Sequence, residues 1–341
     1  MAIQAMTELF PRLLAAFLPA LLFLAALMYL DSYKLVTLRR VVFTIVLGGV
    51  AAGISYTANV ELLSRLTIDF TTYSRYVAPV IEELAKALIV VWLIRSQRTG
   101  FLVDASIFGF AVGTGFALVE NAYYLRSIPD THLAAWLIRG LGTAVMHGGT
   151  TSIFGISSQL LAELKSPKQV SIFVPGLLTA TVIHSLFNHF FFSPVFSTLV
   201  TLLAFPPLIF VVFYKSAESL RNWLEVGFDA DAELLELLNS GRITESKVGK
   251  FLQSLREKFS GDVVVDLFCY LRIHVELSLR AKGIFMMREG GFDAQPDDET
   301  RARLAELRYL EGSIGKTGKH LISPFLHLSG KELWQFYMMG K

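Results

Sequence analysis

Two adjacent carboxylates, Glu82 and Glu83, stand with Lys86 inside the apolar run YVAPVIEELAKALIVVWLI at residues 76–94, a stretch long enough to cross a bilayer. A charged side chain near the centre of a membrane helix costs at least about 2.5–3.5 kcal/mol on insertion scales, so ionisable groups at that depth usually line a polar cavity and act there. Glu120, His147 and His184 follow in further apolar runs. Glu82, Glu83, Glu120, His147 and His184, five titratable side chains spread over four hydrophobic segments, read as one buried site.

Peptide hydrolysis needs a base to activate water, a donor for the tetrahedral oxyanion and an acid for the leaving amine. Glu82 or Glu83, His147, His184 and Asn188 include groups suited to all three. Zinc held by Glu120, His147 and His184 from three helices would have suitable ligand types and keep a position for water, with Glu82 or Glu83 as base. The competing scheme has no metal: a buried glutamate activates water directly while His184 and Asn188 hold the oxyanion. The sequence has no H-E-x-x-H and no G-x-S-x-G, and Asp104 is the sole aspartate within the predicted core spans, which argues against zincin, serine and paired-aspartate chemistry. Cys269 is the only cysteine, so an intrachain disulfide and thiolate zinc sites are excluded.

Blander readings exist for each residue. A lone histidine in a membrane helix is more often an interhelical hydrogen-bonding group than a catalyst. Glu82 and Lys86, one turn apart, would satisfy each other as an ion pair, but that leaves Glu83 and Glu120 without partners. A proton-coupled transporter would also use intramembrane Glu and His, and a catalytically silent scaffold would keep the same fold. Against transport, no inverted repeat is evident and the carboxylates fall on one side of the bilayer.

The elements that must hold these groups follow from composition. The chain has 341 residues, 53% of them hydrophobic and 18% charged, with a mean hydropathy of +0.51. Apolar runs at 10–30, 36–58, 76–94, 102–125, 135–161, 171–192 and 195–214 predict an all-α, polytopic transmembrane bundle of about seven spans. From Lys215 the chain turns charged and amphipathic, so residues 1–214 are expected to form the membrane domain and 215–341 a soluble helical domain. Lys34, Arg39, Arg40, Arg95, Arg98, Lys165 and Lys168 outnumber Arg65, Arg75 and Arg126 on the alternate loops. The expected location is therefore the cell membrane, multi-pass, with the N-terminus outside and the C-terminal tail cytoplasmic. The first run is read as a retained span kinked at Pro19. A net charge of +2 gives no case for nucleic acid. The expected partners are the lipid bilayer and a membrane-anchored protein substrate, the tail being a candidate surface for an unidentified protein or a second copy.

Residues 61–75 suggest an interfacial helix, and Trp136 with Arg139 suits the outer interface of the fifth span. On those boundaries Glu82, Glu120, His147 and His184 share a depth of roughly 8–14 Å below the outer surface, at about 1.5 Å per helical residue. Gly109, Gly113 and Gly115 in the fourth span, and Gly148 and Gly149 after His147, predict close helix packing around the polar centre. GSIGKT at 312–317 lacks the earlier glycine of a phosphate loop, having Leu310 there, so nucleotide binding is rejected.

EELAK at 82–86, FALVENAYY at 116–124, Arg139 and His147 in RGLGTAVMHGG, and HSLFN at 184–188 resemble, in order and spacing, the four motifs of PrsW-type membrane proteases. That family shares a superfamily with the CAAX prenyl-protein endopeptidases and the bacteriocin-processing and immunity proteins. The resemblance covers residues 76–192 and implies an intramembrane endopeptidase acting on membrane-anchored, anti-sigma-factor-like proteins near the extracytoplasmic face. Carried over, it points to Glu82, Glu83, Glu120, His147 and His184, with Asn188 as an oxyanion or ligand partner. Lys86 stands one place earlier than the CAAX branch's arginine, and Glu120 replaces that branch's histidine, which favours the PrsW side.

Overall fold

The computed structural model describes residues 2–339 apart from 129–130, 192, 241, 257–258 and 327–329, with side chains described for all of these except 2–8, 242, 245, 330–333 and 337. Among the described residues the chain is helical, without a strand. It divides into two compact units, Met1–Ser216 and Ala217–Lys341.

The first unit runs α1 (Ala2–Leu30), α2 (Leu38–Arg65), α3 (Phe70–Thr72) leading through a π-helical turn (Tyr73–Val77) into α4 (Ala78–Arg95), and α5 (Leu102–Ser127). Then α6 (Leu133–Ile138) leads through a second π-helical turn (Arg139–Thr143) into α7 (Ala144–Leu164), followed by α8 (Val174–His189) and the start of α9 (Pro194–Asn239). Among the described residues five helices are long and apolar enough to cross a membrane: Leu9–Leu30, Leu38–Arg65, Leu102–Ser127, Val170–His189 and Pro194–Asn239. Two of the seven runs read from the sequence fall short, for a physical reason. Within α4 sit Glu82, Glu83, Lys86 and Arg95, and α7 is rich in Gly, Ser and Thr.

The bundle is built around α5. Its apolar window is 83% buried, against 28% or 33% in each of the other four candidate spans. It is apolar all round, as a helix enclosed by others must be. Where α5 meets α7 the predicted small residues bring backbones together: a Cβ at Gly113 would lie 2.1 Å from the His147 carbonyl oxygen. Buried polar pairs, Ser106 with Ser152 at 2.8 Å and Thr99 with Gln159 at 2.9 Å, line the same seam. Asp104 is structural, accepting from the backbone N–H of Gly100 and Phe101 at 2.8 Å each to cap α5.

α1 carries Pro11 and Pro19 inside the helix. Proline has no N–H, so Pro19 leaves the Ala15 carbonyl without its helical donor. Gly140, in the second π-helical turn, packs against that carbonyl so closely that a Cβ would lie 1.8 Å away. The next carbonyl, Ala16, accepts from the Asn121 side chain at 2.8 Å.

Several sequence boundaries move. α2 continues to Arg65 and a new helix begins at Phe70, capped by Asp69, so residues 61–75 form no separate interfacial helix. The helix carrying Glu82 starts before residue 76, and α8 stops at His189, where Phe190 turns left-handed at φ 46°. The residue counting behind the common depth therefore does not hold. Trp136 is fully buried against Ala15 and Ala16, and Arg139 reaches inward to Glu120, so neither is an interfacial anchor.

The second unit comprises the end of α9 with α10 (Lys247–Leu255), α11 (Gly261–Glu289), α12 (Asp298–Ile322) and α13 (Gly330–Met339). α11 is its core helix, with Leu267, Leu271, Leu277 and Ala281 fully enclosed.

The α5–α7 contact gives a direct test. Gly113→Ala should lower the thermal unfolding midpoint in detergent, since overpacking costs about 1–3 kcal/mol. Gly53→Ala, where a Cβ meets nothing within 4 Å, should leave it level or raise it through helix propensity. Equal midpoints would refute the packing argument.

Candidate active site

The ionisable residues are delivered by four helices. Glu82, Glu83 and Lys86 come from α4, Glu120 from α5, His147 from α7 and His184 from α8. Glu83 Oε1 collects three donors: Lys86 Nζ at 2.6 Å, His184 Nδ1 at 2.8 Å and the Thr150 hydroxyl at 3.3 Å. Lys86 pairs with Glu83 at i,i+3, so the Glu82–Lys86 pair allowed by the sequence does not form. Lys86 Nζ also lies 3.0 Å from His147 Nδ1 and 4.9 Å from the centre of the Phe116 ring.

These contacts fix the tautomers. An ammonium only donates, so His147 Nδ1 accepts from Lys86 and the ring proton sits on Nε2, donated to Glu120 Oε2 at 3.0 Å. A carboxylate only accepts, so His184 Nδ1 carries its proton toward Glu83. The lone pair of a neutral His184 ring then sits on Nε2, 3.7 Å from Glu82 Oε2.

Burial divides the cluster in two. Glu83, Lys86, His147 and His184 are each 2% exposed or less, whereas the Glu82 and Glu120 side chains keep 18% and 25%. The enclosed half is a closed network of charge and hydrogen bonds, and the open half presents two carboxylates and a histidine nitrogen. Glu120 is held by Arg139 at 3.2 Å. Arg139 in turn donates Nε to Asn121 Oδ1 at 2.9 Å and stacks its guanidinium 3.9 Å over the Tyr124 ring.

Three further residues serve this face and were not picked out from the sequence. Asn59 Nδ2 approaches Glu82 Oε1 at 3.5 Å, Asn59 Oδ1 accepts from the Tyr73 hydroxyl at 2.8 Å, and Thr150 contacts Glu83 as described. Asn59 follows Ser55 by one turn in an apolar span, a polar stripe that would have flagged it. Tyr73 has no such signal, because it reaches Asn59 from the π-helical turn. Asn188 donates Nδ2 to the Ser74 carbonyl at 3.0 Å, and Ser185 donates to Arg75 O at 2.6 Å, so α8 clamps that turn. Among the described residues Asn188 forms no hydrogen bond to the ionisable cluster.

The donor set suits a metal ion. Ligand atoms of Glu82, His147 and His184 all lie within 4.8 Å of one another, where a tetrahedral zinc site wants them roughly 3.4 Å apart. His184 also has the carboxylate behind its other nitrogen that metal-binding histidines usually have. Glu82 thus stands in this set where the sequence reading had Glu120, which contacts His147 and Arg139 instead. His147 offers a lone pair at Nε2 only after its proton moves to Nδ1, which requires Lys86 to turn away from the ring.

A family model described as PrsW family intramembrane metalloprotease matches residues 36–214, just over half of the chain. Comparison with curated proteins and with solved structures gave no match.

The enclosed half predicts a double-mutant signature. Lys86→Met strands a buried carboxylate and should destabilise by about 3–5 kcal/mol. Adding Glu83→Gln should recover most of that loss in denaturant unfolding, and additive losses would show that the pair is not coupled.

Proposed function

Because the chain belongs to the PrsW family of intramembrane metalloproteases, we propose that it hydrolyses peptide bonds of membrane-anchored, single-span proteins at the open face of this cluster. One observation carries the reading. Glu82 Oε2 and His184 Nε2 face each other at 3.7 Å on the open side, each steadied by a group behind it, Asn59 for Glu82 and Glu83 for His184. Preorganised donors and acceptors of this kind lower a barrier without reorganising during the reaction.

In the reading we favour, Glu82, His147 and His184 hold a metal ion, zinc by the nature of the donors. When bound, it would polarise the scissile carbonyl and acidify the attacking water. With the His147 proton moved to Nδ1, Glu120 Oε2 is released from its hydrogen bond. That oxygen accepts the water's proton and returns it to the leaving amine, while Arg139 keeps Oε1 in place. Glu83 is enclosed and occupied by Lys86 and His184, so its part is to orient His184.

A second reading is favoured by the Lys86–His147 contact at 3.0 Å, which leaves His147 without a free lone pair. Here Glu82 Oε2 deprotonates water directly, and His147 Nε2–H with Arg139 stabilises the oxyanion. For this His147 Nε2–H turns from Glu120 Oε2 to the oxyanion; His184 cannot take the role, since its Nε2 presents a lone pair, and Asn188 Nδ2 donates to the Ser74 carbonyl.

Both readings predict that Glu82→Gln lowers cleavage of a single-span substrate by about 10²–10⁴-fold. Metal content separates them. About one equivalent of transition metal in active protein, lost in His184→Ala, supports the first reading; chelator-indifferent activity with well under one equivalent supports the second. Wild-type protein without cleavage activity would leave a scaffold in place of an enzyme.

We place the tail in the cytoplasm and the cluster toward the extracytoplasmic face, supported by the loop charges, with anti-sigma-factor-like proteins as the substrate class. A reporter fused after Lys341 should be active only as a cytoplasmic reporter. Extracytoplasmic reporter activity would reverse the substrate side.

A further inference from the structure

In the second unit α11 ends in a left-handed turn. Gly291 takes φ 85°, its N–H bonds the Arg288 carbonyl at 3.0 Å, and the Phe292 N–H bonds the Met287 carbonyl at 3.1 Å. Glycine closes a helix in this way because it has no Cβ to clash. In such a cap a hydrophobic residue at the position of Phe292 usually packs back onto the last turn of its helix. Here the ring stays 70% exposed, and Met286 and Met287, in that last turn, are exposed as well. Arg288 donates Nε to the Ala294 carbonyl at 2.9 Å and so pins the chain just beyond the ring. Phe292 is therefore held outward by a hydrogen-bonded turn.

Contacts within the unit fix where this apolar corner lies. α9 and α11 run antiparallel: Ser278 donates to Asp231 Oδ2 at 2.5 Å, Lys282 to the Gly227 carbonyl at 2.9 Å, and Arg221 pairs with Glu289 at 2.7 Å. The C-terminal end of α11 therefore stands beside the first residues of the unit. Arg221 is only about 6 Å along the helix from Ala217, where the unit begins. Between Ala217 and Tyr214, the end of the apolar run at 195–214, stand only Lys215 and Ser216. A tether this short keeps the corner near the bilayer surface. Apolar residues exposed singly need no explanation, but a group held together beside a membrane calls for one.

We propose that Met286, Met287 and Phe292 insert into the interface of the bilayer and moor the second unit to the membrane surface. The ring suits the boundary between headgroups and acyl chains, and the unbranched thioethers fill irregular space among the chains. The mooring is apolar: Glu289 is paired with Arg221, and Asp293 accepts from Gln295 Nε2 at 2.9 Å, so the corner carries no surplus of positive charge to select anionic lipid. The surface is independent of the proteolytic cluster, and its failure would leave that reading untouched.

Fluorescence quenching by lipid tests this in the full chain. Cys269, half-buried and the only cysteine, is replaced by serine, and Met286→Cys then carries an environment-sensitive fluorophore. The protein is placed, one copy per disc, in phosphatidylcholine nanodiscs bearing a nitroxide at the top of the acyl chains. Tyr309→Cys is the reference position: it is exposed on α12, where Ser313 bonds Asp266 near the opposite end of α11. The label at 286 should be quenched several-fold more than the label at 309. Adding Phe292→Asp should remove most of that quenching while leaving the thermal midpoint unchanged. Three outcomes would overturn the proposal: equal quenching at the two positions, quenching that survives Phe292→Asp, which would mark proximity without insertion, or a blue-shifted label at 286 without quenching, which would mark a protein cover.

Discussion

A lysine ammonium enclosed at the centre of an apolar helical bundle is the constraint on which the first unit depends. Lys86 has no route to solvent, so its charge must be answered within reach of its three protons. Glu83 Oε1 at 2.6 Å supplies the countercharge, His147 Nδ1 at 3.0 Å a lone pair, and the Phe116 ring a π face at 4.9 Å. Desolvating two charges costs several kcal/mol each, so such a pair persists only with good geometry and further hydrogen bonds. His184 and Thr150 complete the shell around Glu83. The pair thus does more than stabilise: it selects the tautomers of both histidines, and those tautomers decide which nitrogen faces the open side.

That centre forms only if three other helices approach α4 closely, and the packing devices serve this approach. Gly113 lets α5 touch α7 at the carbonyl of His147 itself. Pro19 frees the Ala15 carbonyl on α1, against which Gly140 packs, and Asn121 binds the neighbouring Ala16 carbonyl and passes the connection to Arg139 and Glu120. Both π-helical turns, Tyr73–Val77 and Arg139–Thr143, lie just ahead of ionisable residues on the same continuous helices, Glu82 and His147. An extra residue in a turn rotates everything after it relative to the run before it, and π-helical turns are common at functional sites for that reason.

The convergence of the ionisable groups was legible in the sequence because hydrocarbon does not tolerate them separately; Glu82, Glu120, His147 and His184 had to find one another. Close packing at Gly109 and Gly113 was legible for a similar reason, small residues having no other evident use on an apolar helix. The pairing within the cluster was not. Lys86 can reach a carboxylate three or four places back with equal ease, and only the approach of His184 decides for Glu83. Trp136 and Arg139 misled because an aromatic and a cation near a helix end suit an interface as well as a core; apolar packing against Ala15 and Ala16 buries the indole, and the carboxylate of Glu120 draws the guanidinium inward. Asn59 and Tyr73 depend on tertiary approach across a π-helical turn that no residue pattern announces.

The same geometry explains why the two glutamates are not duplicates. Successive residues on a helix point about 100° apart, so of two adjacent carboxylates only one can face the centre. Glu83 takes that direction and becomes a fixed countercharge, inaccessible to substrate. Glu82 is turned to the opening, where Asn59 steadies it and His184 Nε2 confronts it. The enclosed carboxylate lends the bundle the electrostatic balance that lets a lysine sit there. In turn it orients the histidine beside which the open one can work. An adjacent pair in this setting is therefore divided by helix geometry, with the enclosed, fully paired carboxylate one residue away from the one that faces the opening.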